Sequence, residues 1–97
     1  MKRRYTNEET ATIFNVVSRF LENNEALRAE CKRNSFNPAT SQMMNELKKY
    51  IKDRTDDALI MQVRLVNAAI YEPDSTIACH TRAVKYRQLY EQTQLRG

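Results

Sequence analysis

An all-α fold, a compact bundle of about five helices with no sheet, is predicted by three features of the chain. Its single glycine is Gly97, its only prolines are Pro38 and Pro73, and between these breaks apolar residues recur three and four apart. Tight β-hairpins recruit glycine because a Cβ clashes at positive φ, so a chain without internal glycine is poor in them. The repeat of three and four places one apolar stripe on each helix. At 97 residues the chain is long enough for one core, and residues 1–97 are expected to form a single helical domain.

The first helix is predicted over 7–22. Thr6 and Glu9 form a capping box ahead of it, Glu8 and Glu9 suit the positive end of its dipole, and Ile13, Val16, Val17, Phe20 and Leu21 give its apolar face. Asn23 and Asn24 stop this helix and cap a weaker one over 25–34, with Leu27 and Cys31 inward and Arg28, Lys32 and Arg33 outward. Asn37-Pro38 opens a third helix over 38–53, because proline in the first turn forfeits no helical hydrogen bond; its stripe is Met43, Met44, Leu47, Tyr50 and Ile51.

Thr55 caps a fourth helix over 56–71, with Asp56 and Asp57 in its first turn. Leu59, Ile60, Met61, Val63, Leu65, Val66, Ala69 and Ile70 make it apolar on nearly all sides, which places it at the centre with Gln62 and Arg64 as its exits to solvent. Pro73 ends it, and Asp74 or Ser75 is expected to cap a last helix over 76–94. That helix carries Cys79, Ala83, Tyr86 and Tyr90 on one side and is the most basic element, through Arg82, Lys85, Arg87 and Arg96.

Little in the sequence points to catalysis. His80, the only histidine, adjoins Cys79, but neighbouring helical residues point about 100° apart, so they form no nucleophile–base pair within one helix. Cys31 and Cys79 lack the clustered spacing of a zinc site and read as buried or partly buried free thiols. Asp53, Asp56 and Asp57 lack the glycine and distal glutamate of a calcium loop, and a chain without internal glycine has no glycine-rich phosphate loop. The expectation is a non-enzyme with no catalytic residue, metal or cofactor. No apolar run reaches the roughly 20 residues of a bilayer span, and the basic start at Lys2, Arg3 and Arg4 runs at once into Glu8 and Glu9 rather than a signal peptide. A cytoplasmic protein without a membrane partner is expected, in a bacterium or an infected host cell.

The net charge of +4 is gathered in three groups: Lys2, Arg3 and Arg4; Lys48, Lys49 and Lys52 with Arg54; and Arg82, Lys85 and Arg87. Acidic residues interleave them, whereas nucleic-acid binding at this size calls for a stronger one-sided excess. Tyrosine with arginine is enriched at protein interfaces and at stacking surfaces, and Tyr86, Tyr90, Arg82 and Arg87 are expected to be exposed.

Arg4-Tyr5-Thr6-Asn7-Glu8-Glu9, with Arg54-Thr55 and Ala58-Leu59, resembles a Myb/SANT repeat over about residues 4–70. That family implies a three-helix DNA- or protein-binding unit; here the helix that would read the major groove is filled with Leu59, Ile60, Met61, Val63, Leu65 and Val66 instead. Val66-Asn67-Ala68-Ala69-Ile70 is similar to the end of the helical hairpin in phage proteins that sequester cyclic nucleotide signals. In general character the chain resembles small phage early proteins that bind and redirect a host enzyme, including inhibitors of recombination nucleases.

These features lead to the expectation of a non-enzymatic helical protein, encoded by a phage or mobile element, that binds a host protein such as a nucleic-acid-processing enzyme and inhibits or modifies it. Its contact residues are expected to be Arg82, Lys85, Tyr86, Arg87, Tyr90, Tyr71 and Pro73. The alternative is direct DNA or RNA binding through Lys48, Lys49, Lys52, Arg82, Lys85 and Arg87, and a remote third is cyclic-nucleotide sequestration. A homo-oligomer is compatible with each reading.

Overall fold

The computed structural model describes residues 4–33 and 42–96. The chain folds as α1 (Asn7–Glu22), α2 (Glu25–Arg33), α3 (Gln42–Tyr50), α4 (Asp56–Tyr71), a 3-10 turn (Thr76–Cys79) and α5 (Thr81–Arg96), so the all-α bundle is correct and the described residues contain no strand. The expected start of the third helix at Asn37-Pro38 and the basic pair Lys2 and Arg3 lie outside the described residues.

Local chemistry sets most of the helix ends. The Thr6 backbone N–H donates to Glu9 Oε1 at 2.9 Å and the Glu9 N–H donates to Thr6 Oγ1 at 3.0 Å, closing the capping box of α1. The Asn24 Oδ1 accepts from the Leu27 amide at 3.0 Å, and the Thr55 Oγ1 from the Ala58 amide at 3.1 Å, capping α2 and α4. At the far end of α1, Arg28, expected outward, turns back and donates to the Leu21 carbonyl at 2.6 Å, which also accepts from the Asn24 amide at 3.2 Å.

Two boundaries differ from expectation. The regular part of α3 stops at Tyr50 rather than Asp53: Ile51 is the last buried residue of the stripe, and the bend at Asp53 and Arg54 turns the chain toward the start of α1. There Arg54 meets Glu9 at 3.6 Å and the Arg4 carbonyl at 3.2 Å. The last helix does not begin at residue 76. Residues 76–79 form a 3-10 turn, Ser75 gives no side-chain cap and donates its Oγ to the Glu72 carbonyl at 2.7 Å, and α5 starts only at Thr81. His80 opens α5: its carbonyl accepts from the Val84 amide at 3.0 Å and its Nδ1 from the Arg82 amide at 3.0 Å. The 3-10 turn has three residues per turn, so Cys79 falls out of register with the inward stripe of α5 and is exposed.

The expected central helix is central. α4 touches α1, α2, α3, α5 and the 3-10 turn. Leu59, Val63, Leu65, Val66 and Ala69 of α4 pack against Ile13, Val17 and Leu21 of α1, Met43, Met44 and Leu47 of α3, and Ala83 and Tyr86 of α5. Its polar exit was misplaced, however: Gln62 is 6% exposed and faces inward.

Gln62 is buried because it belongs to a polar cluster that joins three helices. Arg82 of α5 donates from Nε to Gln62 Oε1 at 3.1 Å, from one terminal nitrogen to Thr10 Oγ1 of α1 at 2.7 Å, and from the other to the Tyr86 hydroxyl at 2.7 Å. Tyr86 in turn donates to Gln62 Oε1 at 2.7 Å, and its ring stacks on Phe14 with centroids 6.5 Å apart. Tyr86 has no exposed surface, which corrects its expected place on the outside: the stripe it shares with Ala83 faces the core. Burial pushes the Tyr86 hydroxyl up to about 12 despite the favourable Arg82 charge, and burial pushes the Cys31 thiol up to about 11.

Tyr86→Phe leaves the shared acceptor and donor unmatched and is expected to cost about 1–3 kcal/mol in denaturant melts, while Tyr86→Ala, which also opens a cavity, costs about 3–5 kcal/mol. Both raised values mean that the folded chain resists ionisation. Stability is therefore full below the ordinary thiol value of 9.0 and falls as pH rises through about 11 for Cys31 and about 12 for Tyr86. Thermal melts from pH 8 upward check the sign.

Candidate protein-docking groove

The residues singled out in the sequence separate into two groups. Arg82 and Tyr86 form the interior cluster. Arg87 is largely structural: it donates to the Ala69 carbonyl near the end of α4 at 3.1 Å and to Glu91 at 3.2 Å, and its guanidinium lies 5.3 Å from the Tyr90 ring centroid. Lys85 and Pro73 are exposed, Tyr71 is 37% exposed, and Tyr90 is half-buried.

Tyr71 and Tyr90 come together. Tyr71 ends α4, where the Arg28 guanidinium sits 4.7 Å from its ring centroid, and Tyr90 lies on α5 beside Arg87. Both line a groove of about 320 Å³ whose far side is Phe14, Asn15, Arg19 and Glu22 of α1. A second furrow of about 190 Å³, lined by Ala11, Leu89 and Gln92, shares Phe14, Asn15 and Thr93 with the first. The two adjoin between α1 and α5, with Phe14 and Tyr90 on the floor and rims that are polar, including the charged Arg19 and Glu22.

Phe14 was not picked out in the sequence as part of this surface. The signal was present in its spacing, since Phe14 lies one turn from Ala11 and Ser18, on the flank of the core stripe led by Ile13 and Val17.

The cations of the nucleic-acid alternative are not gathered into one free patch. Lys48 pairs with Asp56 at 2.6 Å and Lys49 with Glu46 at 2.6 Å, Arg82 is held in the interior, and Arg87 is bound to Ala69 and Glu91. Lys52 and Lys85 are exposed on different elements.

The chemistry-bearing residues are likewise dispersed. Cys31 is buried in α2, whereas Cys79 and His80 are exposed at the 3-10 turn, where the His80 ring serves as a helix cap. Among the described residues no group of three or more His, Cys, Asp or Glu side chains could hold a metal ion, and no helix is long and apolar enough to cross a membrane. Compared with protein-family models, curated proteins and solved structures, the chain matches none.

Two measurements check these placements. Iodoacetamide should add one label per native chain, at Cys79, and a second at Cys31 only in denaturant, as read by mass spectrometry. His80→Ala removes the side-chain cap of α5 and is expected to lower stability by about 0.5–2 kcal/mol, whereas His80→Asn restores it.

Proposed function

We propose that this chain is a non-enzymatic binding protein that docks on a partner protein through the α1–α5 channel and modifies that partner's activity. The observation that carries the reading is the convergence of Tyr71 and Tyr90, from two helices, on a groove floored by Phe14. Aromatic side chains held in place by packing supply large contact area at low entropic cost and are the commonest interface anchors. Each ring is already fixed by a guanidinium, Arg28 on Tyr71 and Arg87 on Tyr90, so little further ordering is needed on binding. An elongated apolar floor with polar rims suits one face of an amphipathic helix or an extended segment of the partner.

The partner class is a protein rather than nucleic acid, because four of the six cations that would meet phosphate are engaged within the fold. In the host-modulating reading, that partner is an enzyme of the host cell, and occupancy of the channel is the step that redirects it.

The test is capture from cell lysate by the tagged chain, with and without nuclease treatment. Asn15→Arg places a long cation across the exposed junction of the two furrows, and Tyr71→Ala removes the accessible anchor. Each should reduce capture at least about tenfold while leaving the thermal midpoint within a few degrees, as expected for surface changes of small stability effect. Capture that survives both substitutions, or that disappears with nuclease, overturns the reading.

A further inference from the structure

α4 lies at the centre of the bundle, so every polar side chain on it requires a partner. Gln62 has two, Tyr86 and Arg82. Further along α4 the situation differs. Asn67 is 3% exposed and its Oδ1 has no hydrogen-bond partner among the described residues, and the same holds for the buried Nε of Arg64. Arg28, Arg82 and Arg87, by contrast, each donate to a carbonyl or a side-chain oxygen. An unmatched buried polar atom costs about 1–3 kcal/mol, and here two stand on one face of one helix.

Both residues line the same cleft of about 90 Å³, bounded by Cys31 of α2, Glu72 and Ser75 of the turn after α4, and Ile77 of the 3-10 turn. That space is several times the roughly 10–15 Å³ required for a single water. It shares no lining residue with the α1–α5 channel.

The donor set narrows the ligand. Arg64 only donates and carries positive charge, whereas Asn67 Oδ1 only accepts. A simple anion leaves the Asn67 acceptor unmatched, and a simple cation leaves Arg64 unmatched and meets its charge. We propose that the cleft binds a small zwitterion of the free amino-acid class. Its carboxylate accepts from Arg64, its ammonium group donates to Asn67 Oδ1, and a side chain of at most two heavy atoms faces Ile77 and Cys31. As the cleft stands both unmatched atoms are shielded from water, so occupancy includes a swing of the half-buried Arg64 side chain that opens the way to Asn67.

The experiment titrates the full-length ¹⁵N-labelled chain with glycine, L-alanine and L-serine in turn, with acetate and methylammonium as separate arms, and follows the Asn67 side-chain amide and the Arg64 Nε–H by NMR. Saturable movement of both signals by at least one of the amino acids, larger than with acetate or methylammonium alone, is expected. Arg64→Met, which keeps the apolar stem, should weaken that response about tenfold or more. The proposal is overturned by unsaturable or absent shifts with all three amino acids, by acetate alone acting as well as any of them, or by an undiminished response in folded Arg64→Met. Asn67→Leu gives a second check: a variant more stable than the parent, in a chain that answers none of the three compounds, marks Asn67 as a site for bridging water only.

Discussion

The bundle depends on where it puts one guanidinium. Arg82 stands in the first turn of α5, where a cation opposes the helix dipole, and its direct hydrogen-bond acceptors Thr10, Gln62 and Tyr86 are all neutral. What stabilises it there is geometry: a planar fork with all three nitrogens used, and two aromatic faces, with Tyr5 at 4.4 Å and Tyr86 at 5.1 Å from the guanidinium carbon. Because those acceptors come from α1, α4 and α5, the relative height and rotation of the three helices are fixed together. Apolar packing alone tolerates some sliding; a three-way hydrogen-bonded fork does not.

The same device recurs around the molecule. Arg54 lies 3.8 Å from the Tyr5 ring centroid, Arg28 covers Tyr71, and Arg87 covers Tyr90, and each of these arginines also satisfies a backbone carbonyl. The arginine and tyrosine content that marks many interfaces is here spent largely on tying helix ends to their neighbours. Among the described residues, Arg28, Arg54, Arg82 and Arg87 are therefore engaged within the fold rather than gathered on one positive face. Of the rings these arginines cover, Tyr71 and Tyr90 also line the α1–α5 groove.

How much of this was legible in the sequence follows from the range of each interaction. Caps formed by residues three apart, at Thr6 with Glu9 and at Thr55 with Ala58, were readable because their chemistry is local. The central place of α4 was readable because an all-round apolar helix has nowhere else to go. Gln62 was expected outside on its polarity and Tyr86 because tyrosine with arginine marks interfaces, and the contacts that join the two to each other and to Arg82 across α4 and α5 span 24 and 20 residues. The periodicity already held the contrary sign, since Tyr86 shares a stripe with Ala83, yet a hydroxyl on a buried ring becomes plausible only once Arg82 and Gln62 are known to meet it. Likewise, the His80 cap could not be foreseen while the last helix was taken to begin at residue 76. The groove depends on rings from α1, α4 and α5, and the spacing of Phe14 within α1 is its one local sign.

The Thr10–Arg82 hydrogen bond spans 72 positions of a chain of 97. Without α5 the inner polar groups of Thr10 and Gln62 have no guanidinium to meet. Apolar stripes can bring α1, α3 and α4 together, but the Arg82 fork is what ties the height of α1 to that of α4. A chain truncated before Arg82 keeps most of the apolar core and loses the contact that selects one register.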